Sequence, residues 1–245
     1  MDLVLLIVLV TALFLGHFVK GLTGFGGAVV AIPILSFAFP PASAIAIVLI
    51  CELVIGAYLS WTVRKDFIPG AVGLLVVSAV VGQIIGVQIQ KQLDPDTVRL
   101  CIAVMVALLA VRLLTQKTTA TVAPQNPNAI VGLIAGTTSG AMGGLVGSSG
   151  PPAVFYTASY FEKEKGRAVL IIYLFIATIT LLIGFFQQGM VEQDILSYSI
   201  VGVFVSLFAA YLGSKAVSYV SQTQFNRGVA ALLLIVSGSL LAVFW

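Results

Sequence analysis

The run Lys20-Gly21-Leu22-Thr23-Gly24-Phe25-Gly26-Gly27, followed by an apolar stretch to Pro33, decides how this chain is read. A looser copy stands in the second half, from Gly136-Thr137-Thr138-Ser139-Gly140-Ala141-Met142-Gly143-Gly144 on to Gly147-Ser148-Ser149-Gly150-Pro151-Pro152. Each lies in a hydrophobic region that would otherwise form one long helix. Glycine costs about 1 kcal/mol against alanine inside a helix, so glycines this dense, with prolines after them, predict a break. In a bilayer, broken backbone is tolerated only where protein buries it or a polar cavity lines it. One break in each half predicts a binding site within the membrane. The competing reading is close helix packing through small residues, which also fits Gly82-x-x-x-Gly86.

The composition fits that setting. Of 245 residues, 60% are hydrophobic and 9% charged, and the mean hydropathy is +1.13. Soluble domains carry about 25% charged residues. The chain therefore reads as an all-α polytopic membrane protein with the lipid bilayer as a partner. The net charge of +3 is spread over short loops, which predicts no nucleic-acid partner. Cys51 and Cys101 fall in apolar segments without metal-ligand spacing, and there is one histidine. No metal and no cofactor are expected. The N-terminal apolar run carries Asp2 where a signal peptide has Lys or Arg, so it is expected to be the first membrane helix.

Charges, prolines and glycines mark off about ten helical segments, eight to ten of them transmembrane. They are Leu3–Val19, Gly27–Phe39, Ala42–Val63, Ile68–Ile89 and Val98–Leu114, then Ala129–Val146, Pro152–Phe161, Ala168–Phe186, Ile195–Leu212 and Val229–Phe244. Residues 115–128, with Pro124 and Pro127, form the expected cytoplasmic linker between a first membrane repeat, 1–114, and a second, 129–245. The second segment of each half falls short of the ~20 residues that span a bilayer. If each short segment returns the chain to the side it left, ten of the twelve basic residues share one side, leaving only Lys91 and Arg99 on the other. By the positive-inside rule both termini are then extracytoplasmic. Each half crosses an odd number of times, so the halves form inverted repeats, as in many secondary transporters. Full crossings and re-entrant hairpins give the same count. In the repeat register read from sequence, Gly26-Gly27 matches Gly143-Gly144 and Pro33 matches Pro151.

An ionisable group in a membrane is costly and marks a candidate site. Glu52, midway along an apolar run, is either a coupling carboxylate or a permanently neutral one held by a neighbouring helix. His17 and Lys20 share a helix face at i, i+3. Lys20 would draw an anion toward exposed N–H groups, or would snorkel to the interface as an anchor. His17 is either a proton relay in the coupling or a satisfied interior histidine. The candidate substrate-binding set is Lys20, Gly21, Thr23, Gly24, Gly26, Gly27, Gly143, Gly144, Ser148, Ser149, Gly150, Pro151 and Tyr156. Ser139, Thr138 and Gln83 are further polar groups near the breaks. No catalytic constellation stands out, so no enzymatic activity is expected.

A helix ending in Gly21, Gly24, Gly26 and Gly27 with Pro33 beyond, and again in Gly136, Gly140, Gly143 and Gly144 with Pro151 and Pro152, resembles the TauE/SafE family of sulfite exporter-like permeases. Ser148-Ser149-Gly150 before the second prolines departs from a simple repeat. The resemblance implies a carrier in the cell (inner) membrane for small anions, often sulfur-containing, such as sulfite or sulfoacetate. The expected function is secondary transport of such an anion by alternating access, with protons as one coupling option. A homodimer is compatible with this reading. A non-transporting scaffold or sensor subunit and an anion channel are the alternatives.

Overall fold

The computed structural model describes residues 3–115, 127–191, 193–216 and 222–242. They form ten α-helices and no strand: α1 (Leu3–Thr23), α2 (Gly27–Leu35), α3 (Pro41–Val63), α4 (Pro69–Gln92), α5 (Pro95–Thr115), α6 (Ala129–Val146), α7 (Gly150–Tyr160), α8 (Lys163–Gln187), α9 (Gln193–Ala216) and α10 (Gln222–Ala242). A 3-10 turn, Arg64–Asp66, follows α3. Among these residues seven helices are long and apolar enough to cross a bilayer, and Gly228–Ala242 of α10 adds a shorter apolar run. The chain is an all-α, multi-pass membrane protein. Most of the expected linker, 116–126, lies outside the described residues.

Helix starts follow from local chemistry. Pro41, Pro69 and Pro95 open α3, α4 and α5, where the missing proline N–H would have had no helical partner anyway. The Asp94 carboxylate accepts hydrogen bonds from the N–H groups of Asp96 (3.1 Å) and Thr97 (2.9 Å) ahead of α5. The Asn128 side chain accepts from Ile130 N (2.9 Å) and Val131 N (3.3 Å) at the start of α6. Both satisfy N–H groups that a helix start leaves orphaned.

Helix contacts gather the chain into two compact units that cut across the sequence halves. Unit 1 holds α1, α2, the start of α3, α5, α9 and α10, and unit 2 holds the rest of α3, α4, α6, α7 and α8. In unit 1, α1 packs along α9 and α2 folds back on α1. A Cβ on Gly21 would stand 2.9 Å from Ser214 N and 3.0 Å from the Ala210 carbonyl carbon. In unit 2, α6 packs along α4. A Cβ on Gly144 would stand 2.7 Å from Gln83 O and from Val87 N. These approaches leave no room for a side chain, because the neighbour is backbone.

The two seams are built alike. Gly213 of α9 faces the Phe18 carbonyl and Gly21, and Gly86 of α4 faces the Ala141 carbonyl and Gly144. Phe18 and Ala141, and likewise Gly21 and Gly144, are 123 positions apart. The glycine pairs matched in sequence occupy different places relative to the two breaks. Gly143 and Gly144 lie inside α6, whereas Gly26 caps α2 and Gly27 opens it. Gly150, 123 positions beyond Gly27, opens α7. Composition misled the reading because glycines that break a helix and glycines that let two helices meet look alike in sequence.

Candidate functional site

Both breaks form where the sequence places them. α1 ends at Thr23, and Gly24 (φ 83°) and Gly26 (φ 90°) take left-handed conformations before α2. α6 ends at Val146 and Gly147 (φ 76°) takes the same conformation. Glycine adopts it without the clash a Cβ would bring. The short helices have nine and eleven residues, about 13 and 16 Å at 1.5 Å per residue.

Each short helix runs back along the helix before it. A Cβ on Gly16 would touch Gly27 O (2.6 Å) and the Ala31 Cβ (2.8 Å), and Phe39 meets Tyr198 near the start of α9, at 5.1 Å between rings. In unit 2, Ser149 sits over Gly143, and the Tyr156 hydroxyl lies 3.0 Å from where a Gly132 Cβ would be, one turn from the start of α6. The return path therefore retraces most of the preceding helix, through α2 and the hydrogen-bonded turn after it in unit 1 and through α7 in unit 2.

Unit 1 carries His17, Lys20, Gly21, Thr23, Gly24, Gly26 and Gly27. His17 is fully buried, and its Nδ1 lies 2.9 Å from the Leu13 carbonyl. Lys20 is 5% exposed, a burial that argues against an interface anchor. It lies one turn beyond Gly16, on the face of α1 that meets α2. Helical side chains lean toward the helix N-terminus, which aims its stem at the turn that touches Gly27. The α2 N-terminus has no side-chain cap, and the N–H groups of Gly27, Ala28 and Val29 form its first turn. Thr23 caps α1: its hydroxyl donates to Val19 O (2.9 Å) and accepts from Phe25 N (3.2 Å). Gly21 belongs to the seam with α9.

Unit 2 carries Glu52, Gly143, Gly144, Ser148, Ser149, Gly150, Pro151 and Tyr156. Glu52 is buried in α3. Ser148 is buried, and the Ser149 hydroxyl fills the space over Gly143. Tyr173 donates to the Ser139 hydroxyl (2.7 Å), which donates in turn to the Ser149 carbonyl. This chain ties α8 and α6 to the break. Gly144 belongs to the seam with α4. Gly150 opens α7, and Pro151 and Pro152 follow without N–H groups, so this first turn offers one donor against three in α2. Tyr156 packs against Tyr160 (5.1 Å) and Phe161 (5.9 Å). Gln83 serves its own unit, donating to Ala177 O (2.8 Å) and accepting from Thr180 (2.7 Å). Thr138 is exposed and donates to Ile134 O (2.7 Å).

Sequence reading missed Tyr173, a tyrosine in an apolar helix with no spacing to link it to Ser139. It also missed Gln90 in α4, buried with both side-chain amide atoms lacking a hydrogen-bond partner. Among the described residues no cluster of three or more His, Cys, Asp or Glu could hold a metal, and Cys51 and Cys101 are not joined in a disulfide.

The sequence model for the sulfite exporter TauE/SafE family matches residues 8–240, nearly the whole chain. It describes a family of membrane transporters, not enzymes. No curated protein and no solved structure matches the chain.

Proposed function

The chain belongs to the sulfite exporter TauE/SafE family, and on that premise we propose that it is a secondary transporter of small anions working by alternating access. The observation that carries the anion reading is the break in unit 1, where buried Lys20 stands on the helix face that meets an uncapped, all-N–H first turn. Helix N-termini favour negative charge because their N–H groups and dipole point outward. A buried lysine, when protonated, adds positive charge where salt screens it little. Sulfite or a small sulfonate suits this site, the sulfur preference resting on the family.

Inverted repeats, 1–114 and 129–245, are part of the proposal. They are supported by the seam residues of α1 and α6 and by the left-handed Gly24 and Gly147, which share an offset of 123 positions. The topology has both termini outside a cell (inner) membrane. Arg64 lies 3.9 Å over the Trp61 ring and Lys215 5.1 Å from the Tyr211 ring, the aromatic and basic pairing expected at an interface. Both pairs fall on the side assigned to the cytoplasm.

Glu52 is the proposed coupling carboxylate, taking and giving up a proton during the cycle, with His17 as a relay. Flux of sulfite and sulfoacetate into proteoliposomes of the pure protein tests transport. Saturation and counterflow support a carrier; non-saturating flux indicates a channel, and none at all a scaffold. In Glu52→Gln, an unchanged rate and pH dependence would remove that residue from coupling.

A further inference from the structure

We propose that unit 2 holds a monovalent-cation site where the C-terminal ends of α4, α6 and α8 converge, with the Gln90 side-chain carbonyl as one ligand. The placement follows from contacts one turn earlier. A Cβ on Gly86 would lie 2.9 Å from Gly144 Cα and 3.0 Å from Leu145 N, and Val87 comes within 3.9 Å of the Cβ position of Gly184. Gln90 stands four residues beyond Gly86 and three beyond Val87, on the face shared by both contacts. The next residue, Lys91, donates to the Gln188 side chain at 2.9 Å. Gln90 is thus level with the end of α8 and with the Gly147–Ser149 turn that follows α6.

Gln90 is 3% exposed, and neither Nε2 nor Oε1 has a hydrogen-bond partner. Burying an unpartnered amide costs about 1–3 kcal/mol by protein mutational data. Gln83, one heptad earlier on the same face, is fully engaged by α8. The difference is a ligand's place.

Helix ends decide the sign of that ligand. α4, α6 and α8 run parallel and end at Gln92, Val146 and Gln187, within about two turns of one another at 1.5 Å per residue, and each C-terminus carries partial negative charge. At the end of α8, the carbonyls of Gly184, Phe185 and Phe186 accept from Gln188, Met190 and Gly189. At the end of α6 only the Gly143 carbonyl is taken, by Gly147 N at 2.9 Å. Among the described residues no loop N–H reaches the carbonyls of Gly144, Leu145 or Val146. With the buried Ser148 hydroxyl and Gln90 Oε1, these supply neutral oxygens, the ligand type that suits a hard cation. With no carboxylate among the groups named, a single positive charge such as Na⁺ is favoured. Half-helix C-termini in membrane carriers are used in this way. Lys91, exposed at the rim and held by Gln188, is the cation-near-C-terminus pattern the same field favours.

The test uses the full chain purified in detergent, with unfolding followed as NaCl replaces choline chloride at constant ionic strength, and KCl in a parallel arm. Binding to the folded state raises its melting temperature saturably. The wild type should show that rise with Na⁺ or K⁺. Gln90→Leu should melt higher than wild type in choline, because the unpartnered amide is gone, and should not respond to either ion. Gln90→Glu should lower the half-saturating concentration about tenfold, one charge-pair increment of about 1.4 kcal/mol. A wild type indifferent to the cation, as when water alone meets Gln90, overturns the proposal. So does an unaltered response in Gln90→Leu. Should Gln90→Leu fail to fold, an unshifted midpoint in Gln90→Glu overturns it as well.

Discussion

Lys20 in α1 and Gly143 in α6 stand four residues ahead of a left-handed glycine, Gly24 in one unit and Gly147 in the other. Around them the backbones correspond: a helix stops, the chain turns on glycine, and a short helix runs back along the first. The side chains differ in kind. Unit 1 places His17 and Lys20 on that face and offers three N–H groups at the start of α2. Unit 2 has Gly140 and Gly143 at the same offset, lets the Ser149 hydroxyl fill the space, and opens α7 with two prolines. One backbone device therefore carries positive charge in one unit and close packing with neutral oxygens in the other. In the proposed transporter this separates the roles, with the anion at the α1–α2 break and the cation at the end of α6.

The seams are the part of the comparison easiest to break. Gly21→Ala and Gly144→Ala should each destabilise by about 1–3 kcal/mol, the usual cost of overpacking, since each new Cβ meets backbone. Gly73→Ala, whose Cβ would meet nothing within 4 Å, should instead stabilise by up to about 1 kcal/mol, the helix-propensity difference. Thermal unfolding of the three purified variants checks this. A seam that accepts alanine freely ends the correspondence.

Donor count sharpens it next. Ala28→Pro removes one N–H from the first turn of α2, where proline is otherwise tolerated. Losing a hydrogen bond to a charged group, about 1.5–3 kcal/mol, should weaken sulfite or sulfoacetate binding at least about tenfold. Pro152→Ala adds an N–H to α7 and should change binding by less than about twofold. Calorimetric titration separates them, and equal effects would dissolve the contrast.

The smallest effect is expected outside the membrane. Bonds from the Thr97 hydroxyl (2.6 Å) and the Thr97 N–H hold the Asp94 carboxyl below the ordinary carboxylate range. A depressed folded-state pKa stabilises above the unfolded value, about 3.9, and that contribution is lost as pH falls through the folded pKa. Asp94→Asn keeps a good cap without the titration. Its melting temperature should fall slightly less than wild type on acidification below pH 4. Parallel acid curves would remove Asp94 from the account.

Sequence made the helices and both breaks legible because hydropathy, proline and glycine act locally. The expected segment Ala129–Val146 is α6, and Gly27 begins α2 as expected. The partners of each glycine were not legible. Gly21 and Gly144 entered the candidate site by neighbourhood to a break, yet the first packs on α9 and the second on α4, contacts set by helices 60 to 190 residues away. Thr23 read as a ligand hydroxyl and caps its own helix instead, a competition between local backbone and distant ligand that residue type does not resolve. Gln83 and Gln90 look alike in sequence; only packing tells the engaged amide from the unpartnered one.

The central claim is that the positive charge at the unit 1 break binds the transported anion. Binding of sulfite and of sulfoacetate to purified wild type, Lys20→Met and Ser149→Ala, by calorimetry with melting temperature as a check on folding, tests it most directly. Saturable binding is expected in wild type and in Ser149→Ala, and none in folded Lys20→Met. Wild-type affinity in Lys20→Met would contradict it.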